Sequence, residues 1–362
     1  MALSFGTLVG NERLLMAYRN PTPTVDIVMG MNKGGAVLIE RENEALPEGE
    51  TLKKTSKIYL WAAVLCVLSF LSSFEGMAQA EPFAKDKYSQ IMWNYLETLS
   101  EFGPRYVGTK GYSQTLDLLR HVGAESADDV LEHPFVITRH NGEQMRMVNI
   151  EFVFNGTATG RPILVGAHYD TRPFADQESD PKLRDRPIPG VNDGGSGTAV
   201  LLGLARYLKD HPVNQPVRLM FFDGEDFGKS GSSEMFLGSS YHASQLEKLP
   251  LKQRPQAVLV VDMVGDKDLE IYKETYSMRS GPELLDRVYA MARRKNISQF
   301  NEKSKYSIQD DHLPFIKLGI PSVVLIDFDY PYWHKISDTL DKCSPESLGV
   351  VFSVVAGVLA EW

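Results

Sequence analysis

VRLMFFDGEDFG, residues 217–228, puts two opposed demands side by side. From Val217 to Phe222 only Arg218 is polar, as expected of a strand buried on both faces. Directly after it stand Asp223, Glu225 and Asp226, three carboxylates within four positions. A buried carboxylate without a partner is costly enough that it shifts its pKa, pairs with a cation or binds a metal. The rest of the chain has to supply that partner.

Three further apolar runs match the first: PILVGAH (162–168), AVLVVDMVG (257–265) and PSVVLIDFD (321–329). Near-continuous Val/Ile/Leu runs point to parallel strands covered by helices. Helical spacing of apolar residues recurs in YSQIMWNYLETLSEF (88–102), YSQTLDLLRHVGA (112–124), GTAVLLGLARYLKDH (197–211) and GPELLDRVYAMARRK (281–295). MVNIEFVFNG (147–156) adds a strand and a turn near one edge. The alternation predicts an α/β sandwich: a mixed, mostly parallel central sheet flanked by helices on both faces, in a single domain over 81–362.

The composition, 43% hydrophobic and 23% charged over 362 residues, is that of a globular chain, and the net charge of −9 argues against a nucleic-acid surface. Two cysteines, Cys66 and Cys343, imply no disulfide framework. Lys53, Lys54 and Lys57 precede the apolar run IYLWAAVLCVLSFL (58–71), and SSFEGMAQA ends in Ala78-Gln79-Ala80. This is the pattern of a signal peptide over 53–80 cleaved after Ala80, with a secreted or periplasmic product and no membrane attachment afterwards. A run of 14 is short for a membrane span, and an uncleaved anchor is the alternative. Leu65 before Cys66 argues against a lipoprotein site. Cleavage would leave Cys343 as the sole thiol. Residues 1–52 read as a misplaced start or a disordered leader and are assigned no function.

In such a sheet, ligands bind beyond the carboxyl ends of the strands. The run 162–168 leads into HYD, with His168 and Asp170; the run 217–222 leads into DGED; Asp262 lies near the end of the third run; and YPYWHKISDT, with His334 and Asp338, follows the fourth. GVNDGGSG (190–197) carries Asp193 and opens a helix. Histidine and carboxylate donors without cysteine suit zinc or a similar divalent ion, the cation the opening carboxylates need. A carboxylate left beside it can serve as general base. Singly, each residue also fits a plainer role: His168/Asp170 a loop pair, Asp193 a helix cap, Asp262 a satisfied core acid, Asp310-Asp311-His312 a solvated turn, His334 beside Trp333 an edge of the core. Their placement at the ends of all four runs argues for a metal site. His121, His133, His140, His211 and His242 stand in polar or helical contexts and read as surface or structural. GEDFGKS (224–230) lacks the glycine at 223 that a phosphate-binding loop needs, and GGSG (194–197) lacks nucleophile-elbow spacing.

Seven segments, FGPRYVGTKGY, GAHYDT, NDGGSG, FFDGED, VVDMVG, DDHLPF…GIP and WHKISDT, occur in this order. Together they resemble the zinc aminopeptidase-like superfamily, which includes two-zinc exopeptidases and the animal-type glutaminyl cyclases, the latter also found in bacteria. The resemblance runs from about residue 83 to the C-terminus. Read against the peptidases, it implies His168, bridging Asp193, Asp226, Asp262 and His334 as ligands of two zinc ions and Glu225 as general base. Read against the cyclases, it implies one zinc on Asp193, Asp226 and His334, Glu225 as acid/base, Asp262 and Asp310 as hydrogen-bonding acids, and Trp333 against the substrate. His168 with Asp262 is then a possible second metal site. TRPFAD, the doubled acid of DDHLPF and the Trp-His pair resemble the cyclases more, whereas NDGGSG resembles both. Asp226 stands where many members carry Glu, which shortens its reach but keeps the ligand type. The resemblance thus implies a zinc-dependent glutaminyl-peptide cyclotransferase acting on peptide or protein N-termini, with a zinc aminopeptidase as the alternative. TRPFADQESDPKLRDRPIPG (171–190) is expected to shape the pocket mouth.

Overall fold

A computed structural model describes residues 87–139, 141–229 and 231–362, and the backbone of three strands nearer the N-terminus. The chain divides into Met1–Ala78 and Gln79–Trp362. In the first unit β1 (Leu15–Tyr18) pairs antiparallel with β2 (Asp26–Asn32), which pairs antiparallel with β3 (Gly35–Arg41). The signal segment 53–80 lies outside the described residues, as does His140. Among the described residues no helix is long and apolar enough to cross a membrane.

The second unit runs α1 (Lys87–Phe102), α2 (Lys110–Ser126), β4 (Asp129–Thr138), β5 (Gln144–Phe154), β6 (Ile163–His168), α3 (Gly195–Asp210), β7 (Val217–Phe222), α4 (Leu237–Glu247), β8 (Ala257–Asp262), β9 (Ile271–Lys273), α5 (Thr275–Ser280), α6 (Pro282–Arg294), β10 (Phe300–Ser304), α7 (Leu313–Lys317), β11 (Ser322–Ile326) and α8 (Pro345–Ala360). Six strands form one sheet in the order β11-β8-β6-β7-β5-β4. β11, β8, β6 and β7 are mutually parallel; β5 and β4 continue it antiparallel. The four apolar runs are these parallel strands. The expected edge strand is β5, one place in from the edge; β4 outside it has mixed exposure along its length and too little apolar alternation to announce itself.

The period of two along each strand divides its side chains between two cores. Val165, Leu219, Phe221, Leu259 and Val261 pack with α1, α2, α3, α6 and α8, whereas Leu164, Met220, Phe222, Val258 and Val260 pack with α4 and α7. Residues buried on both sides of the sheet explain why these strands read as unbroken apolar runs. α3 lies unusually close to the sheet: a Cβ on Gly197 would fall 2.2 Å from the Val261 carbonyl oxygen. That approach seats the N-terminus of α3, with Asp193 before it, against the ends of β6 and β8. The Val-rich α8 escapes a periodicity search because it is apolar nearly all round. It is marked instead by its start, where Ser344 accepts from Ser347 N at 3.1 Å and Pro345 takes the first turn.

Candidate metal centre and active site

The parallel strands all end on one edge, and the site is assembled there. His168 is the last residue of β6 and Asp262 the last of β8; Asp223, Glu225 and Asp226 follow β7, and His334 follows β11. Asp193 completes two groups of donors. One is His168, Asp193 and Asp262; the other is Asp193, Asp226 and His334; within each, ligand atoms lie within 4.8 Å of one another. Asp193 is shared, with Oδ1 at 3.3 Å from His168 Nε2 and Oδ2 at 3.6 Å from His334 Nε2. His168 Nε2 is 3.1 Å from Asp262 Oδ1, and His334 Nε2 is 3.3 Å from Asp226 Oδ1. All five side chains are buried, yet Asp193 Oδ2 and Asp226 Oδ2 have no hydrogen-bond partner. Unpartnered buried carboxylate oxygens grouped with imidazoles, and no thiolate, are a donor set that suits zinc.

The three carboxylates after β7 have separate tasks. Asp223 faces away from the donors and accepts from Tyr112 Oη at 2.6 Å and Val148 N at 2.8 Å, tying the loop to α2 and β5. Asp226 enters a donor group. Glu225 belongs to neither and reaches the adjoining cavity. The backbone of the last two is held by Asp170, which accepts from Glu225 N and Asp226 N at 3.1 Å each. Asp338, also among the polar residues expected at the strand ends, grips backbone rather than metal. It accepts from Asn192 N at 2.9 Å, Asp193 N at 3.1 Å and Tyr330 Oη at 2.6 Å. Arg105 is fully buried and donates to the carbonyls of Tyr169 (3.1 Å), Pro189 (3.2 Å) and Gly190 (2.5 Å), joining the segment after β6 to the turn that carries Asp193.

Asp310, Asp311 and His312 are buried, which excludes the solvated turn. His312 Nε2 lies 3.4 Å from Glu274 Oε2, and Glu274 also accepts from Ile308 N at 3.1 Å, so α5 anchors this turn. A narrow cavity of about 50 Å³ is lined by Asp193, Glu225, Asp226, Asp262, Asp310 and His334, with Ile308, Ile326, Phe328 and Trp333 among its apolar walls. Trp333 stacks on His334, ring centroids 3.9 Å apart. Of the remaining histidines, His121 pairs with Glu125 on the surface, His133 with Glu151, His211 stacks on Tyr207, and His242 is buried beside His133. Sequence reasoning missed Arg105 and Arg172, and Asp176 with it. Arg172 is buried with Nη1 2.6 Å from Asp226 Oδ1 and both other nitrogens on Asp176. No local pattern separates them from surface charges.

So many acids at one edge alter one another's ionisation. Burial opposes charge on His334, but Asp226, Asp176 and Asp193 outweigh it and lift the imidazole to about 9. His168 is likewise raised well above its ordinary value, by Glu225 and Asp262 against the opposing effect of burial. Burial, and then Asp226, push the Asp193 carboxyl up. Without metal both imidazoles carry a proton at neutral pH and must lose it to ligate. Zinc binding at pH 7 is therefore expected to release protons, with affinity rising as pH climbs toward about 9, where His334 gives up its own. Calorimetric titration in buffers of differing ionisation enthalpy measures this directly; a binding heat independent of buffer would contradict it.

The chain matches the family described as Peptidase family M28 over residues 149–359. It is similar to aminopeptidase YwaD of Bacillus subtilis, 29% identical over 55% of this chain and 40% of that protein. It is also similar to a glutaminyl-peptide cyclotransferase of Bos taurus, 24% identical over 82% of this chain and 87% of that one. Among solved structures it resembles a Porphyromonas gingivalis glutaminyl cyclase, with TM-score 0.70 and 31% identity, covering 75% of this chain and 98% of that chain. The chain thus spans less than half of the Bacillus relative but nearly all of the Porphyromonas one.

Proposed function

We propose, for a chain that belongs to peptidase family M28, that it is a zinc-dependent glutaminyl-peptide cyclotransferase converting an N-terminal glutamine to pyroglutamate with loss of ammonia. The observation that carries this reading is the cavity itself. Glu225, Asp262 and Asp310 meet in one narrow space walled by Trp333, which suits a small amine and carboxamide and leaves little room for bulk water. The similarity to glutaminyl cyclases of cattle and of Porphyromonas gingivalis supports it further.

Asp193, Asp226 and His334 would hold the zinc, which when bound supplies a Lewis acid for the carbonyl of the substrate side-chain amide. Asp262 and Asp310 bind and orient the substrate amine from one side of the cavity. Glu225 takes a proton from that amine as its nitrogen bonds to the carboxamide carbon. It returns the proton to the departing nitrogen, so that the carbon–nitrogen bond breaks and ammonia leaves. Trp333 stacks against the flat amide and excludes water, which favours attack by the substrate's own amine. Both reacting groups sit on one residue, so the step is nearly unimolecular. The basic, apolar and small-residue pattern of 53–80 supports an enzyme that works outside the cytoplasm.

A second reading, a two-zinc aminopeptidase, is favoured by the completeness of the His168/Asp193/Asp262 group and by the similarity to the Bacillus aminopeptidase. Incubating the zinc-loaded protein with a Gln-initiated and a Leu-initiated peptide and weighing the products separates the two. Loss of one ammonia from the Gln peptide, with the Leu peptide intact, is expected. Release of free leucine without that loss would establish the peptidase instead.

A further inference from the structure

The segment following β6 does more than line the mouth of the site. Arg172 is completely buried. Its Nη1 lies 2.6 Å from Asp226 Oδ1, while Nε and Nη2 grip the two oxygens of Asp176 at 3.0 and 2.9 Å. Asp176 Oδ1 in turn lies 3.2 Å from His334 Nδ1. One guanidinium therefore ties together a donor carboxylate from the β7 loop and the carboxylate facing a donor imidazole beyond β11. The backbone joins in: Gln177 N donates to the His334 carbonyl at 3.3 Å, and Ile336 N donates to Glu178 Oε1 at 3.0 Å.

His334 needs such a hold, because its φ of 54° places a non-glycine residue in the left-handed region. Its Nε2 lies 3.6 Å from Asp193 Oδ2 and 3.3 Å from Asp226 Oδ1. With Nδ1 facing Asp176, Nε2 is the nitrogen left for a metal. The other donor histidine also faces an outer carboxylate, with His168 Nδ1 3.4 Å from Asp170 Oδ1. Asp170, however, is held by the backbone N–H groups of Glu225 and Asp226, whereas Asp176 is held by the Arg172 guanidinium that also reaches a donor acid.

We propose that Arg172 and Asp176 are positioning residues that act as one bracket on Asp226 and His334 and set the metal affinity of the Asp193/Asp226/His334 group specifically. The planar fork of arginine is what lets one side chain hold both carboxylates; lysine, a point charge, can hold only one well. The bracket rests on the reading of this edge as a metal centre, but not on the choice between cyclase and peptidase.

The test is zinc affinity, measured by competition with a chromogenic chelator, for the wild type, Asp176→Ala, Arg172→Lys and the double variant. Thermal midpoints of the chelated proteins are measured alongside. Asp176 is partly exposed, which makes Asp176→Ala the safer variant for folding. Asp176→Ala is expected to weaken zinc binding by about 10–100-fold, as for loss of an outer partner of a metal ligand. Its chelated midpoint should stay near wild type, and Arg172→Lys and the double variant should each weaken binding by about as much as Asp176→Ala does, the double not by the product of the two single losses. Asp176→Glu should recover part of the loss. Cobalt substitution adds a second readout: the visible ligand-field bands should shift in Asp176→Ala and not in His168→Ala, if cobalt occupies this group. Zinc affinity in Asp176→Ala within twofold of wild type would overturn the bracket. So would a chelated midpoint that falls as far as the zinc-loaded one, which is the mark of a merely structural contact. A wild-type protein that binds no zinc would remove the metal centre itself, and the bracket with it.

Discussion

Replacing Glu225 by Gln is expected to lower kcat on a Gln-initiated peptide by about 10²–10⁴-fold, the range for a lost general acid–base, with zinc content unchanged. The substitution keeps size and hydrogen-bonding shape and removes only the ability to take and return a proton. Glu225 lies outside both donor groups, so the metal should stay. Its backbone is fixed independently of the side chain, by Asp170 on its N–H and by Phe236 N on its carbonyl at 2.9 Å, so the loop should not move. Burial, followed by Asp226, pushes the Glu225 carboxyl well above the usual carboxylate range. A bound dication would draw it back down, which leaves it placed to exchange protons near neutral pH. KM should change far less than kcat, since the loss is confined to the reacting state. Both enzymatic readings require this result. A variant retaining activity within tenfold of wild type would mean that another group moves the proton, with Asp310 the next to replace.

The fold was legible because the physics that builds the sheet also writes its sequence. Strands covered on both faces must be apolar at nearly every position, and β6, β7, β8 and β11 are, apart from Arg218, Ser322 and the strand-end His168 and Asp262. The site was legible for a related reason. Charged groups gathered beyond the ends of all four such strands need partners that the apolar core cannot supply, so His168, Asp226, Asp262 and His334 stood out. Residues that serve the site from behind did not. Arg105 and Arg172 are buried cations whose partners come from remote segments, and only the fold reveals them. β4 was invisible because a half-exposed outer strand needs no alternation strong enough to detect. α8 was invisible for the opposite reason, being buried all round. Asp223 and Asp338 have the right residue type in the right place and yet turn toward Tyr112, Val148 and the Asp193 turn. Residue type marks where charge collects; geometry decides which charges face the metal.

Asp193→Asn is expected to move stability in opposite directions with and without zinc. Asp193 presents one oxygen to each histidine, Oδ1 to His168 and Oδ2 to His334, and it belongs to both donor groups. A neutral amide cannot bridge them, so zinc affinity should fall by more than the roughly 100-fold that an outer contact can cost. The stabilisation by zinc, about 2.7 kcal/mol when its concentration is 100 times Kd, should vanish with it. In chelator the sign reverses. The Asp193 carboxyl is raised by burial and then by Asp226, so its folded pKa lies above its unfolded one. Ionising it therefore disfavours the folded state, and stability is lost as pH rises from the ordinary carboxylate range toward the raised value. Asparagine carries no such charge. The chelated variant should melt no lower than chelated wild type at pH 8, and the zinc-loaded variant well below zinc-loaded wild type. If the chelated variant instead melted markedly lower, Asp193 would be holding the fold through its contacts with the two histidines, and its burial would need no metal to explain it. His168→Ala sharpens the result, because only one group contains that residue. Zinc counted per chain should drop to zero in Asp193→Asn, whereas in His168→Ala it should be unchanged for a one-zinc cyclase and fall by one for a two-zinc peptidase.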